Sequence, residues 1–386
     1  MTSMKNRACS MPAVGHLVSV ISTCIAAVVL MVTAPFSPTA TAGDIPTFAV
    51  DASWPKPLPN NWILGQVGGI AVDSKGHIWV LHRPRSLTDD EKGATLTPPR
   101  SKCCASAPPV LEFDVDGNLL RSWGGPGEGY EWVGREHGIE VDDKGFVWLT
   151  GNADNDNVAM KFTGDGKFVM QIGKIAPTGG SNDTTQLGKP AEITYDKDAG
   201  ELYVADGYGN RRVIVFDATT GAYKRHWGAY GKPPNDDKQG AYDPKAPVAQ
   251  QFGNPVHCVK VTNDGMVYVC DRINNRIQVF RKDGTFVTEW FFEKSTLGNG
   301  AVWDVAVWPD PKQSYLLSAD GENNEIRIIK RGDGTVVGNF GRNGRNAGQF
   351  HWIHAMAVDS SGNVYTAEVD TGKRIQKFKL TSDALR

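Results

Sequence analysis

The chain has 386 residues, 41 Lys and Arg against 43 Asp and Glu, and is 40% hydrophobic. That balance is ordinary for a globular protein, and a formal net charge of −2 supplies no cationic footprint for nucleic acid or for polybasic attachment to a membrane. With 43 Gly, 22 Pro and 11 Trp, turn-rich β structure is expected rather than a helical bundle.

The first 42 residues stand apart. Lys5 and Arg7 precede an apolar run from about Leu17 to Ala34, and small and polar residues follow, ending in "TATAGD". Ala40-Thr41-Ala42 fits a small-x-small cleavage site, so 1–42 reads as a secretory signal peptide and 43–386 as the mature, secreted or periplasmic protein. The run approaches spanning length, which makes an uncleaved anchor the alternative. Ser19, Ser22 and Thr23 interrupt it, and with the A-x-A site they favour cleavage; no membrane contact is then expected.

From there one unit recurs. Its clearest copy is "FGNPVHCVKVTNDGMVYVCDRINNRIQVFRKDGTFVTEW" (252–290). Four runs of branched and aromatic residues are separated by turns at Asn263-Asp264-Gly265 and Asp283-Gly284 and by the loop "DRINN". Four antiparallel strands in meander order describe a propeller blade. The first strands of successive copies are "GGIAVD" (68–73), "HGIEVD" (137–142), "AEITYD" (191–196), "HCVKVT" (257–262), "WDVAVW" (303–308) and "HAMAVD" (354–359). The predicted fold is therefore all-β, a six-bladed β-propeller of four-stranded antiparallel blades, with "TFAVDASW" (47–54) as the outer strand that closes the last blade. Two segments exceed the repeat: 84–109, between the second and third strands of blade one, and 229–250, between blades three and four. In a meander blade those two connections lie on one face, where long loops shape binding sites.

Of six cysteines, Cys9 and Cys24 fall in the leader. Export permits disulfides among Cys103, Cys104, Cys258 and Cys270, but their spacing leaves open whether they pair and with which partner.

The first residues of the six innermost strands are Gly68, His137, Ala191, His257, Trp303 and His354. Any one histidine at a strand entrance is ordinarily a hydrogen-bonded packing residue. Only eight residues in the chain are histidine, however, and three hold one repeat position on alternate blades, about 120° apart, so that their rings converge on the axis. Three imidazoles around one point leave a fourth position open, the ligand set of a catalytic zinc site. His77, His82, His226 and His351 share no repeat position, although His82 lies near the same rim. Arg83 in "HRPR" and Arg272 in "DRINNR" occupy one repeat position at the exit of the second strand, and "DGYGNRR" places Tyr208 in the adjoining loop. Such arginines are commonly solvated or paired with a carboxylate such as Asp271. Beside a metal they would instead hold a substrate carboxylate or stabilise a Tyr208 phenolate.

The six units resemble NHL repeats over roughly 68–378. The three histidines, "HR" after the second strand of blade one, "DGYGNRR" and "DRINNR" together resemble the peptidyl-α-hydroxyglycine α-amidating lyases, which split a carbinolamide into a peptide amide and glyoxylate at a zinc ion held by three histidines. The resemblance implies His137, His257 and His354 as Zn²⁺ ligands, Tyr208 as base, and Arg83 and Arg272 as anion-binding arginines. Three features depart from the family. Ala355 replaces the acidic residue that supports its structural Ca²⁺, Trp352 replaces a methionine, and "TPPRSKCCASAPP" has no counterpart. The reading is an exported zinc lyase acting on a small or peptide-derived substrate. The alternatives are a metal-dependent hydrolase of a lactone or ester, and a non-catalytic binding propeller. The sequence does not set the oligomeric state.

Overall fold

The computed structural model, which describes residues 45–385, resolves the β-rich runs into six four-stranded antiparallel sheets. The expected leader and its cleavage site lie outside the described residues. Blade one comprises Gln66–Val72, Ile78–Arg83, Val110–Phe113 and Leu119–Trp123. Blade two comprises Glu136–Val141, Val147–Gly151, Asp156–Phe162 and Phe168–Ile175, and blade three Glu192–Asp196, Glu201–Asp206, Arg212–Asp217 and Tyr223–Trp227. Blade four runs through Val256–Val261, Met266–Asp271, Arg276–Arg281 and Phe286–Phe291; blade five through Asp304–Val307, Tyr315–Asp320, Glu325–Lys330 and Val336–Phe340. Blade six takes three strands from the C-terminal end, Ile353–Val358, Val364–Glu368 and Ile375–Leu380. Its fourth is Phe48–Val50, paired with Phe48 opposite Leu380, as the stretch 47–54 foreshadows. That pairing joins the two ends of the described chain and leaves the ring without a loose blade.

The turns explain the regularity. At the end of the innermost strand an aspartate accepts from the backbone of the turn that follows. Asp73 takes the N–H of Lys75 and of His77 at 2.9 Å and the indole N–H of Trp79 at 3.1 Å. Asp142 does the same with Lys144, Phe146 and Trp148, and Asp359 with Ser361, Asn363 and the Tyr365 hydroxyl. A short side chain that bonds its own backbone two residues on sets the turn locally. The alternating residues of each strand then face the neighbouring blades. Trp79 and Leu81 of blade one pack with Ile139, Leu149 and Val158 of blade two, and Tyr268 and Ile277 of blade four with Val305 and Leu316 of blade five. The same pattern fills every blade-to-blade interface, so the hydrophobic core is a ring of cores between blades. The axis is left to polar side chains.

Cys258 and Cys270 stand opposite each other on the first two strands of blade four, Cα atoms 4.8 Å apart, and form a disulfide. Cys103 and Cys104 are joined to each other in the first insertion. That settles what the spacing left open.

Candidate metal centre

The strand ladder breaks where the histidines sit. In blade four Val256 pairs with Asp271 and Cys258 with Cys270, leaving His257 without a partner. Blade six leaves His354 unpaired between Ile353 and Ala355 in the same way. In blade two His137 and Gly138 together face one residue, because Glu136 pairs with Gly151 and Ile139 with Leu149. Each histidine thus sits in a β-bulge, which re-aims a side chain that a regular strand would send between blades. Plain alternation does not reveal this, and the strands accordingly begin a residue before each histidine. Blade one has the same bulge at Gly68. A Cβ there would come within 2.7 Å of the Glu136 carbonyl, so this position cannot carry a ligand.

Each ring is held from the next blade. Nδ1 of His137 donates to the Ala191 carbonyl at 2.9 Å, Nδ1 of His354 to Gly68 at 2.8 Å, and Nδ1 of His257 to Trp303. The residues at the three non-histidine positions therefore serve through their backbone oxygens, a role that side-chain identity conceals. With the proton on Nδ1, the Nε2 lone pair is free to coordinate. The rings converge, with centroids 5.2, 4.6 and 4.8 Å apart. Burial, reinforced by neighbouring imidazoles and guanidiniums, holds all three well below the usual histidine range, so they are neutral. Buried neutral imidazoles whose donor nitrogens lie within 4.8 Å of one another fit a divalent transition metal such as zinc.

Two other groupings among the described residues fit less well. Glu112, beside Asp73 and His77, already pairs with His77 at 2.7 Å and with Arg121 at 2.9 Å. Glu192 and Asp304 flank Cys258, whose sulfur is spent in the disulfide, and the Lys260 ammonium pairs with Glu192 and lies 4.0 Å from Asp304. The chain brings its own cation to these carboxylates and has Ala355 after its last axial histidine. Removing calcium with a calcium-selective chelator should therefore leave the melting temperature unchanged. A drop of several degrees would reveal a structural calcium.

Tyr208 reaches the imidazoles from blade three. Its hydroxyl lies 3.1 Å from Nε2 of His137 and 3.1 Å from Nε2 of His257. Gly207 supports this approach, because a Cβ there would collide with the backbone of Val256. Arg272 donates from Nη1 to the same hydroxyl at 3.2 Å and lies 4.4 Å over the Trp303 ring. It is not paired with Asp271. That carboxylate belongs to the fully buried Arg276 at 2.8 Å, one of a series with Asp206–Arg212 and Glu368–Arg374. Arg83 is bound by the Glu136 carbonyl at 2.7 Å and the Gln66 amide oxygen at 2.8 Å, and its charge acts on all three imidazoles. Burial pulls its pKa down to about 10, which leaves it cationic at neutral pH. Arg83 is 5% and Arg272 7% exposed, and among the described residues neither has a carboxylate within ion-pair distance and Nε of Arg272 is buried without a partner. A buried guanidinium without a counter-ion is a site for an anion.

The other histidines stay apart from this group. His82 lies at the rim but turns away, accepting from the Gly65 N–H at 3.1 Å and donating to the Pro108 carbonyl at 2.9 Å. Burial pushes its pKa down to about 4 from 6.5, so between those values it is neutral when folded and protonated when unfolded. Its contribution is complete above pH 6.5 and is lost as the pH falls through 4, a change of about 3 kcal/mol. Urea melts at pH 7 and pH 4 should show a shallower acid loss for His82→Gln than for the wild type. Equal losses would remove His82 from the account.

Both insertions rise on the histidine face. Arg85 of the first reaches the carbonyls of Val133 and Gly134 at the mouth of blade two, and Lys373 of blade six holds Glu91 at 2.6 Å. The second is bound through Arg211 in the loop beyond Tyr208. Among the described residues, no helix is long and apolar enough to cross a membrane.

No protein-family model matches the chain. It is 28% identical over 351 residues to NHL repeat-containing protein 3 of Mus musculus, covering 86% of this chain and 84% of that one. It is 27% identical over 355 residues to peptidyl-alpha-hydroxyglycine alpha-amidating lyase 1 of Drosophila melanogaster, covering 86% of this chain and 60% of that protein's length. Among solved structures, a protein of unknown function from Bacteroides thetaiotaomicron matches with a TM-score of 0.53 at 17% identity, over 83% of this chain and 70% of that one, a likeness of fold alone. The repeat, the blades and the relatives agree: the chain is a six-bladed β-propeller that is similar to NHL repeat-containing proteins and to the peptidyl-α-hydroxyglycine α-amidating lyases.

Proposed function

We propose that this protein is an exported, metal-dependent lyase that cleaves the C–N bond of a carbinolamide bearing a carboxylate. The observation that carries the reading is one constellation: three inward Nε2 atoms, a phenol 3.1 Å from two of them, and two buried guanidiniums without counter-ions. His137, His257 and His354 would hold the metal, which supplies Lewis acidity toward the substrate's hydroxyl oxygen. Arg83 and Arg272 bind and orient the carboxylate, and Arg272 stabilises negative charge on the Tyr208 oxygen. Tyr208 accepts the hydroxyl proton. The C–O bond becomes a carbonyl as the C–N bond breaks, and the proton passes to the departing amide nitrogen, giving an amide and an α-oxo acid. Trp303, beneath Arg272, and the bulged strands keep these groups in place. The two disulfides are compatible with the oxidising compartment that the leader implies.

Metal analysis of the purified protein should find about one divalent transition metal per chain. Incubation with an N-acyl-α-hydroxyglycine should release amide and glyoxylate in equal amounts. Metal without such turnover, but with ester or lactone cleavage, would select the hydrolase; neither metal nor turnover would leave a binding propeller. Arg83→Lys keeps the charge and loses the planar fork, so it should raise KM for the carboxylate substrate about tenfold or more with kcat little changed. A wild-type KM would take carboxylate binding away from Arg83.

A further inference from the structure

The segment 229–250 is fastened at several points. Arg211 donates to the carbonyls of Asn235 and Asp237, the Gln239 amide reaches Gln251 at 2.8 Å and the Phe252 carbonyl at 3.0 Å, and the Tyr242 hydroxyl donates to the Lys294 carbonyl at 2.8 Å. Between it and blade four lies a groove of about 470 Å³ on the histidine face, with Tyr242, Pro244, Pro247, Val248, Asn274 and Phe291 in its walls. Its charges balance locally. Asp243 and Lys294 are of opposite sign, and Arg276 is committed to Asp271 and Glu289. The groove therefore offers apolar surface and amides to an uncharged guest.

None of the metal centre's own residues lines it, but its wall approaches one of them. Asn274 is two residues from Arg272, so their Cα atoms are at most about 7 Å apart. The volume is that of a small-molecule site and exceeds what an α-hydroxy acid end requires. We infer that this groove is a subsite for the apolar peptidyl part of a substrate whose carboxylate end is held at Arg272. An extended peptide advances about 3.5 Å per residue, so the second and third residues from the reacting carbon reach it. The choice of a peptide as occupant rests on the lyase reading above; the existence of the groove does not.

Calorimetric titration with N-acetyl-Val-Ala-Phe-amide, the product form of such a substrate, tests the groove without turnover. The wild type should bind it, and Val248→Asp should bind at least tenfold more weakly; Val248 is 44% exposed on the loop and outside the metal centre. In kinetics, N-acetyl-Val-Ala-Phe-α-hydroxyglycine should show a KM at least tenfold below that of N-acetyl-α-hydroxyglycine. Val248→Asp should erase that advantage and leave the short substrate unchanged. Failure of the peptide amide to bind, or equal binding by Val248→Asp, overturns the subsite. If the amide binds through Val248 while neither hydroxyglycine is cleaved, the groove stands as a peptide site and the lyase reading falls.

Discussion

On the proposed function, alanine at any one of His137, His257 or His354 should leave a folded protein that binds no metal at this centre. Each imidazole contributes one Nε2 to a three-nitrogen set, and no fourth described His, Cys, Asp or Glu side chain joins them at that point of the axis. Removal of a mere supporting hydrogen bond to a ligand costs 10- to 100-fold in metal affinity, so deletion of a ligand should exceed about 10²-fold. Folding should survive, because the rings project from bulges toward the axis while the apolar cores lie between blades. The structural loss is the Nδ1 hydrogen bond to a neighbouring carbonyl and, for His137 and His257, the contact with the Tyr208 hydroxyl, each of about 1 kcal/mol. Metal content by mass spectrometry and thermal melting, measured together, separate the two effects. Full metal occupancy in all three variants would show that the convergence of the rings binds nothing.

Tyr208→Phe should abolish turnover with metal content unchanged. The substitution removes the oxygen that lies 3.1 Å from two imidazoles and 3.2 Å from Arg272, yet it removes no ligand and almost no volume. A general base contributes about 10²–10⁴-fold, and the loss should appear in kcat. The phenylalanine ring keeps the packing against His137 and His257, whose centroids lie 5.0 and 5.7 Å from it, so the loss of stability should be confined to the hydroxyl's hydrogen bonds, about 1 kcal/mol each. Wild-type turnover by Tyr208→Phe on a confirmed carbinolamide would take the proton transfer away from this residue and strengthen the hydrolase alternative.

The blades were legible because their determinants are local. An Asp-Gly or Asn-Asp-Gly turn and a short alternating run need only a few residues of context, and six copies in register leave little freedom in how they are joined. The shared position of the histidines on alternate blades was legible through that register, although what turns that position toward the axis is the bulge. The closing strand at 47–54 could be placed because the last repeat lacks its fourth strand.

Other features depend on atoms far apart in the chain. The bulges at His137, His257 and His354 arise from how two strands meet, and strand alternation alone does not register an unpaired residue. The carbonyls that orient the three rings belong to Gly68, Ala191 and Trp303, residues whose side chains carry no sign of that task. "DRINNR" presents two arginines and one aspartate, and only the folded loop shows that Asp271 takes Arg276 and leaves Arg272 without a counter-ion. Cys258 and Cys270 are matched only once the hairpin register is set. By itself, then, the sequence determined the blade, its number and the repeat position that the three histidines share, since these follow from turn chemistry and periodicity. The tertiary structure alone decided which lone pairs, guanidiniums and walls stand free for a ligand, because a polar group's freedom depends on every neighbour that could have claimed it.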